Sequence, residues 1–312
     1  MNQLRLPLAL SLAFTLVACG SDSDTVPPPA PQDIVATAQS VPDLSILVEA
    51  VVAADLATTL SGPGPFTVFA PTNAAFAALL TELGVTKAQL LADKPLLTAV
   101  LTYHVLAARV LKSQVQLGKA ITTVQGGIFK IEQAGMDLVI TDGRNRTSKI
   151  TATDIATSNG VVHLVDRVIL PANKNIVETA LAIPDFSILV EAVVAADLAT
   201  ALSGPGPFTV FAPTNAAFAA LLAELGVTKA QLLADKPLLS AVLTYHVLGA
   251  RALKADIVPG TQPATVQGET FAISPALVIT DRRMRTAKIT AADVFASNGV
   301  IHVIDNVILP AP

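Results

Sequence analysis

Residues 41–109 recur almost letter for letter at residues 183–251, at a constant offset of 142 and with six differences in sixty-nine positions. The differences, Val41/Ile183, Leu44/Phe186, Thr59/Ala201, Thr81/Ala223, Thr98/Ser240 and Ala107/Gly249, alter a small volume or a single hydroxyl. A period this long lies far above the roughly 20 to 50 residues of solenoid and propeller repeats, so each copy is large enough to own a core. The chain is one module used twice, and two globular domains are expected.

After residue 110 the copies drift. Residues 121–126 still answer 263–268, but residues 159–166 answer 298–305 at an offset of 139, so three residues are lost between them. The loss falls where residues 128–140 meet 270–279, and a shortened hairpin loop between strands that keep their register is expected there. The loops that differ most, residues 119–143 and 260–282, are where the two copies are expected to bind different things.

Arg5 precedes an apolar stretch, residues 6–18, too short to cross a bilayer, and it reads as a secretion signal. The stretch ends in Leu16-Val17-Ala18-Cys19-Gly20, which resembles a bacterial lipobox, and Cys19, the single cysteine of the chain, is then the lipidation site. An intramolecular disulfide is excluded. Residues 19–32, with four prolines and no apolar periodicity, read as an extended tether reaching roughly 40 Å from a lipid surface. Gly20, where an aspartate would resemble an inner-membrane retention signal, favours the outer membrane or cell surface if the cell is Gram-negative.

With 52% apolar and 14% charged residues the chain has ample material for two cores and little for a charged partner surface. The formal charge is −4, and removing Arg5 with the signal makes it −5. Neither a basic stripe nor stacking aromatics appear, which argues against nucleic acid. Arg144, Arg146 and Lys149, matched by Arg282, Arg283, Arg285 and Lys288, read as solvated strand-end residues, with an anionic polymer as the alternative.

Within one module, Asp43 stands as an N-cap before an apolar helix over residues 44–55, the prolines and glycines of residues 61–65 break the chain, and residues 66–70 form a short strand. A helix starts at Thr72 or Asn73 and stops near Gly84. Thr86 and Gln89 have capping-box spacing, and a further helix follows Asp93-Lys94-Pro95 and ends at Tyr103-His104. The remainder is β-rich and closes on residues 161–170, an almost continuous apolar run expected to be a central strand. Helices first and strands after predict an α+β fold. The three residues 172–174 between the modules predict domains in contact.

Three blocks, in order and twice, resemble the fasciclin-domain family: residues 66–76 and 208–218, Tyr103-His104 and Tyr245-His246, and residues 159–166 and 298–305. Ala74 and Ala216 stand where the family often has a glutamate. The resemblance covers residues 33–171 and 175–310 and implies two tandem domains, 33–171 and 175–312. Each would be a β-wedge or distorted barrel of about seven strands with several helices. It also implies a bacterial lipoprotein of the cell envelope, on the periplasmic or extracellular face, that binds matrix, biofilm or partner-protein surfaces. Family members suggest Tyr103, His104, Asp154 and Ile155, with Tyr245, His246, Asp293 and Val294, as candidate binding residues.

Architectural readings compete at these positions. His104, His246, His163 and His302 sit in apolar runs where an imidazole satisfies buried backbone groups, and Asn73 and Asn215 read as caps. Asp166 and Asp305 fall on an apolar face and need a partner or a bend. Catalysis lacks its parts: no cysteine in the domains, no Gly-x-Ser-x-Gly elbow and no metal-ligand spacing, so no enzyme, cofactor or metal is expected. The alternative function is an envelope polysaccharide or small-ligand binding module, disfavoured for sugars because the chain has no Trp and two Tyr.

Overall fold

Helix ends in the first copy are set by side chains that replace missing backbone partners. The structure, a computed structural model, describes residues 31–312; the expected signal sequence, Cys19 and nearly all of the expected tether lie outside the described residues. Helix α1 (Ile34–Gln39) is capped by Asp33, which accepts from Ala36 N. A 3-10 turn over Pro42–Leu44 leads into α2 (Ser45–Ala53). Asp43 does not cap it: the cap position is Leu44, which offers no side-chain bond. Asn73 does so from a distance, its Oδ1 accepting from Ile46 N at 3.0 Å while its Nδ2 donates to Pro42 O and Ser45 Oγ.

Helix α3 (Ala57–Ser61) and strand β1 (Phe66–Pro71) follow. Helix α4 (Asn73–Leu83) is capped by Thr72 and stopped by Gly84 at a φ of 66°, a left-handed turn that glycine adopts without strain. Helix α5 (Lys87–Ala92) carries the Thr86/Gln89 capping box, and α6 (Lys94–Tyr103) is capped by Asp93 with Pro95 in its first turn.

Strands β2 (Val105–Leu106), β3 (Ala120–Thr122), β4 (Ile128–Ala134), β5 (Asp137–Thr141), β6 (Thr147–Thr157) and β7 (Gly160–Val165) complete the sheet in the order β2-β1-β7-β6-β5-β4-β3. β7 runs parallel to β1 and antiparallel to β6, the interior position its apolarity predicts. The strand ends at Val165, five residues short of the expected run. Asp166 turns out to solvent, where its Oδ1 accepts from Lys149 N at 2.7 Å. The period of two splits the sheet between two cores. Val68, Ala70 and Val162 pack under the helices with Leu47, Phe76 and Leu97, while Phe69 and Val165 pack on the opposite face with Tyr103, Phe129 and Ile140.

The second copy repeats this plan with helices α7 (Ile176–Leu181), α8 (Ser187–Ala195), α9 (Ala199–Ser203), α10 (Asn215–Leu225), α11 (Lys229–Ala234) and α12 (Lys236–Tyr245). Its strands are β8 (Phe208–Pro213), β9 (Val247–Leu248), β10 (Ala272–Ile273), β11 (Val278–Thr280), β12 (Thr286–Ala296) and β13 (Gly299–Ile304), in the order β10-β11-β12-β13-β8-β9. The loss of three residues reaches beyond the expected loop, since β4 spans seven residues and β10 two. The counterpart of β3 is reduced to one bridge, Ala264 to Thr270. Pro263 replaces Ile121 there and has no N–H to give a ladder. Each domain is thus an α+β near-barrel of six or seven strands.

The domains dock directly. Lys130 Nζ lies 2.9 Å from Asp293 Oδ2, and Lys119 Nζ donates to Asp256 Oδ1 at 2.8 Å. Asn145 accepts from Phe295 N at 2.6 Å and donates to Phe295 O at 3.1 Å. Ile128 inserts into an apolar cluster with Leu253, Phe295 and Val300 of the second domain.

Candidate interaction site

The Tyr-His pair ends α6 and is sealed inside the domain. Tyr103 is 0% exposed, its hydroxyl donating to Ile128 O at 2.5 Å and accepting from Gly143 N at 2.8 Å. Ile169 N–H can only donate, so the His104 Nε2 it reaches at 3.1 Å is the acceptor, and Nδ1–H donates to Val100 O at 2.7 Å. Burial pushes the His104 imidazole down to about 4 and the Tyr103 phenol up. In the second copy His246 bonds Val242 O and Ile308 N and is likewise pushed down to about 4, while burial raises Tyr245 to about 12. All four rings are committed to backbone groups, tying the helix end to the β-rich half of each domain.

Asp154 forms the second knot. It sits in a bulge of β6, where the register with β7 shifts, at a φ of 62°. Its N–H donates to His163 Nδ1 at 3.1 Å, so His163 Nε2–H donates to Val110 O at 2.9 Å. Asp154 Oδ1 accepts from Lys112 N at 2.8 Å. Asp293, His302, Ala252 and Lys254 repeat the arrangement, and burial pushes the His302 imidazole down. Aromatic contacts link the knots: Tyr103 to Phe129 at 6.0 Å and Phe129 to Phe69 at 5.1 Å meet edge-on, and Phe69 lies tilted against His163 at 5.3 Å.

The knots differ in exposure. Asp154 is exposed, as are Lys112, whose N–H it accepts, and Arg109, which precedes the Val110 whose carbonyl holds His163, whereas Asp293 is 4% exposed beneath Lys130. Ile155 and Val294 are half-buried and pack on the helical cores. The eight candidate residues therefore do not converge on one pocket.

Burial alone would push Lys130 down, but the hydrogen bond and charge of Asp293, helped by Glu132 at 3.1 Å, outweigh it and hold the ammonium above the usual lysine value. Lys130, Asn145 and Phe295 are functional in holding the domains together, and sequence reasoning passed over them. The signal for them is the mismatch between copies: Ala272 answers Lys130, Met284 answers Asn145 and Ala156 answers Phe295.

Several of the basic strand-end residues are ion-paired, while Arg144 and Arg283 donate to the Pro171 and Pro310 carbonyls. Arg146 reaches Asp142 and Glu82, each at 2.8 Å, Lys149 reaches Asp137 at 2.8 Å, and Arg285 reaches Glu224 at 2.9 Å. Among the described residues no group of three His, Cys, Asp or Glu side chains is placed to hold a metal ion. No described helix is long and apolar enough to cross a membrane.

A family model for the fasciclin domain matches residues 42–171 and 184–310. The chain is 33% identical over 255 residues to transforming growth factor-beta-induced protein ig-h3 of Sus scrofa, covering 80% of this chain and 35% of that protein. It thus spans about a third of that relative's length. It is 36% identical over 146 residues to the cell surface glycolipoprotein MPB83 of Mycobacterium bovis, covering 45% of this chain and 61% of that protein. A solved FAS1 domain pair from the insect cell adhesion molecule fasciclin I aligns with a TM-score of 0.44 and 20% identity, covering 86% of this chain and 97% of that one.

Proposed function

This chain belongs to the fasciclin-domain family, and from that premise we propose that it is a non-catalytic adhesion or interaction lipoprotein of a bacterial cell envelope. The lipobox-like run ending at Cys19, and a relative that bears the name cell surface glycolipoprotein, support the anchor. All four histidines are engaged by backbone groups, which supports a binding role over catalysis.

The observation that carries the reading is the unequal exposure of one repeated site: Asp154 lies open while Asp293 is closed by the docked first domain. The contact surface is then the first domain's face around Asp154, with Arg109 and Lys112, and its partner an extracellular or envelope protein or polysaccharide. Tyr103, His104 and their counterparts shape that face from inside.

The test is attachment of cells producing the whole chain to matrix-protein, polysaccharide and abiotic surfaces. Arg109→Glu with Lys112→Glu, both on exposed side chains, should lower attachment several-fold at unchanged surface level. Cys19→Ala should release or mislocalise the protein. Attachment that is the same with and without the gene on every surface refutes the adhesive role.

A further inference from the structure

Between the domains lies a cleft of about 320 Å³, lined from the first domain by Gln125, Gly127, Gly143 and the start of the linker, and from the second by Arg251, Phe295 and Ser297. It has room for roughly ten waters at about 30 Å³ each. We propose that this cleft is a binding site for a small organic carboxylate, with the Arg251 guanidinium as its charged anchor.

Arg251 is half-buried, and its Nε is closed off from water without a hydrogen-bond partner among the described residues. Burial pushes its pKa down, and no neighbouring acid opposes the shift. The two Nη groups are neither closed off nor hydrogen-bonded among the described residues, so a carboxylate in the cleft meets them in a bidentate, charge-assisted pair. Arg285 also has one orphaned nitrogen, but its guanidinium is neutralised by Glu224 at 2.9 Å. No carboxylate lines the cleft.

The two copies show that this environment comes from docking. Arg109, the counterpart of Arg251, is exposed on the first domain. Gly127 and Gly143 face the cleft where the second copy carries Glu269 and Arg282, which approach each other at 3.8 Å. A Cβ at Gly143 would stand 2.3 Å from Ala172 N and one at Gly127 2.7 Å from Gln125 Oε1, so neither position carries a side chain or a competing carboxylate. The Gln125 Oε1 accepts from Gly127 N at 2.9 Å, which leaves its NH2 to donate, and the Ser297 hydroxyl adds a second polar group beside the Phe295 and Ile128 walls. A guanidinium, an amide and a hydroxyl against two apolar side chains suit a carboxylate on a small polar body.

The test is isothermal titration calorimetry on the whole lipid-free mature chain. The probes are galacturonate and N-acetylalanylalanine, each beside its uncharged partner, galactose and the dipeptide amide, with inorganic phosphate as a further arm. At least one carboxylate should bind one to one, at least tenfold tighter than its uncharged partner, and which one binds separates a sugar acid from a peptide terminus. Arg251→Gln should weaken binding tenfold or more, Arg251→Lys less, and Lys236→Gln, an exposed charge outside the cleft, should leave it unchanged. Ser297→Phe should block the cleft with Arg251 in place, which keeps the test valid if Arg251→Gln fails to fold. No saturable carboxylate binding, equal binding of the uncharged partners, binding of phosphate alone, or binding that survives Ser297→Phe overturns the proposal.

Discussion

Lys130 and Asp293 form an ion pair across the domain boundary, 2.9 Å from Nζ to Oδ2, with side chains 8% and 2% exposed. Cutting one partner from such a pair leaves the other charge buried alone, a loss of about 3 to 5 kcal/mol. Lys130→Met should therefore lower the second domain's melting point and loosen docking, because the uncompensated Asp293 also holds Lys254 N and faces His302. Small-angle scattering should show the pair of domains extending. An unchanged scattering profile and melting curve would show that Asn145 and the apolar cluster suffice.

Acid should destabilise both domains. His104 and His246 are held near 4 in the folded protein against an ordinary 6.5, so the unfolded chain takes up protons first as the pH falls. Their contribution is complete above pH 6.5 and is lost between 6.5 and 4, roughly 3 kcal/mol for each histidine across the full window. Melting temperatures at half-unit steps from pH 7.5 to 4.5 should hold level down to about 6.5 and fall below it. A flat profile over that range contradicts the buried, neutral imidazoles.

Gly160 lies opposite Phe66 in the parallel pairing of β7 with β1, and a Cβ there would stand 2.2 Å from the Phe66 carbonyl oxygen. Backbone on both sides cannot give way cheaply. Gly160→Ala should cost about 1 to 3 kcal/mol or more in chemical denaturation, with the same result for Gly299→Ala, whose Cβ would lie 2.3 Å from Phe208 O.

Tyr103→Phe removes a hydroxyl that both donates to Ile128 O and accepts from Gly143 N. Two buried backbone groups lose a partner, and a loss of about 1 to 3 kcal/mol is expected. Cell attachment should stay within twofold under conditions where the variant is folded, since the ring is closed to any partner. A clean loss of attachment with an unshifted melting curve would transfer the contact surface to the Tyr-His region.

The helical half was legible where a local rule decides: Thr86 with Gln89, Asp93 with Pro95, and the stop at Gly84 all act within one turn. The run of residues 161–170 showed its interior place but not its end, because the turn at Asp166 is fixed by Lys149 and Ser148 on the neighbouring strand. Asn73 reads in the sequence as a local cap and instead reaches back past β1 and α3 to α2, a contact that sequence spacing does not encode. The candidate residues were found by resemblance, while their fates followed from docking. Asp154 and Asp293 occupy equivalent positions in the two copies and have opposite exposure, since Lys130 comes from the other domain. Within the drifted loop of residues 119–143, Lys119 and Lys130 hold the second domain, a role that the drift alone did not reveal.

A head-to-tail contact between two equal modules has no natural end: whatever lets the first copy grip the second would let the second grip a third, and chains of molecules would grow into fibres. This pair is stopped at both ends. The gripping side of the second domain has Ala272, Met284 and Thr261 where the first has Lys130, Asn145 and Lys119, and the receiving side of the first has Ala156 and Gln114 where the second has Phe295 and Asp256. The near-identity of the helical halves is harmless because the divergence sits where polymerisation would otherwise begin.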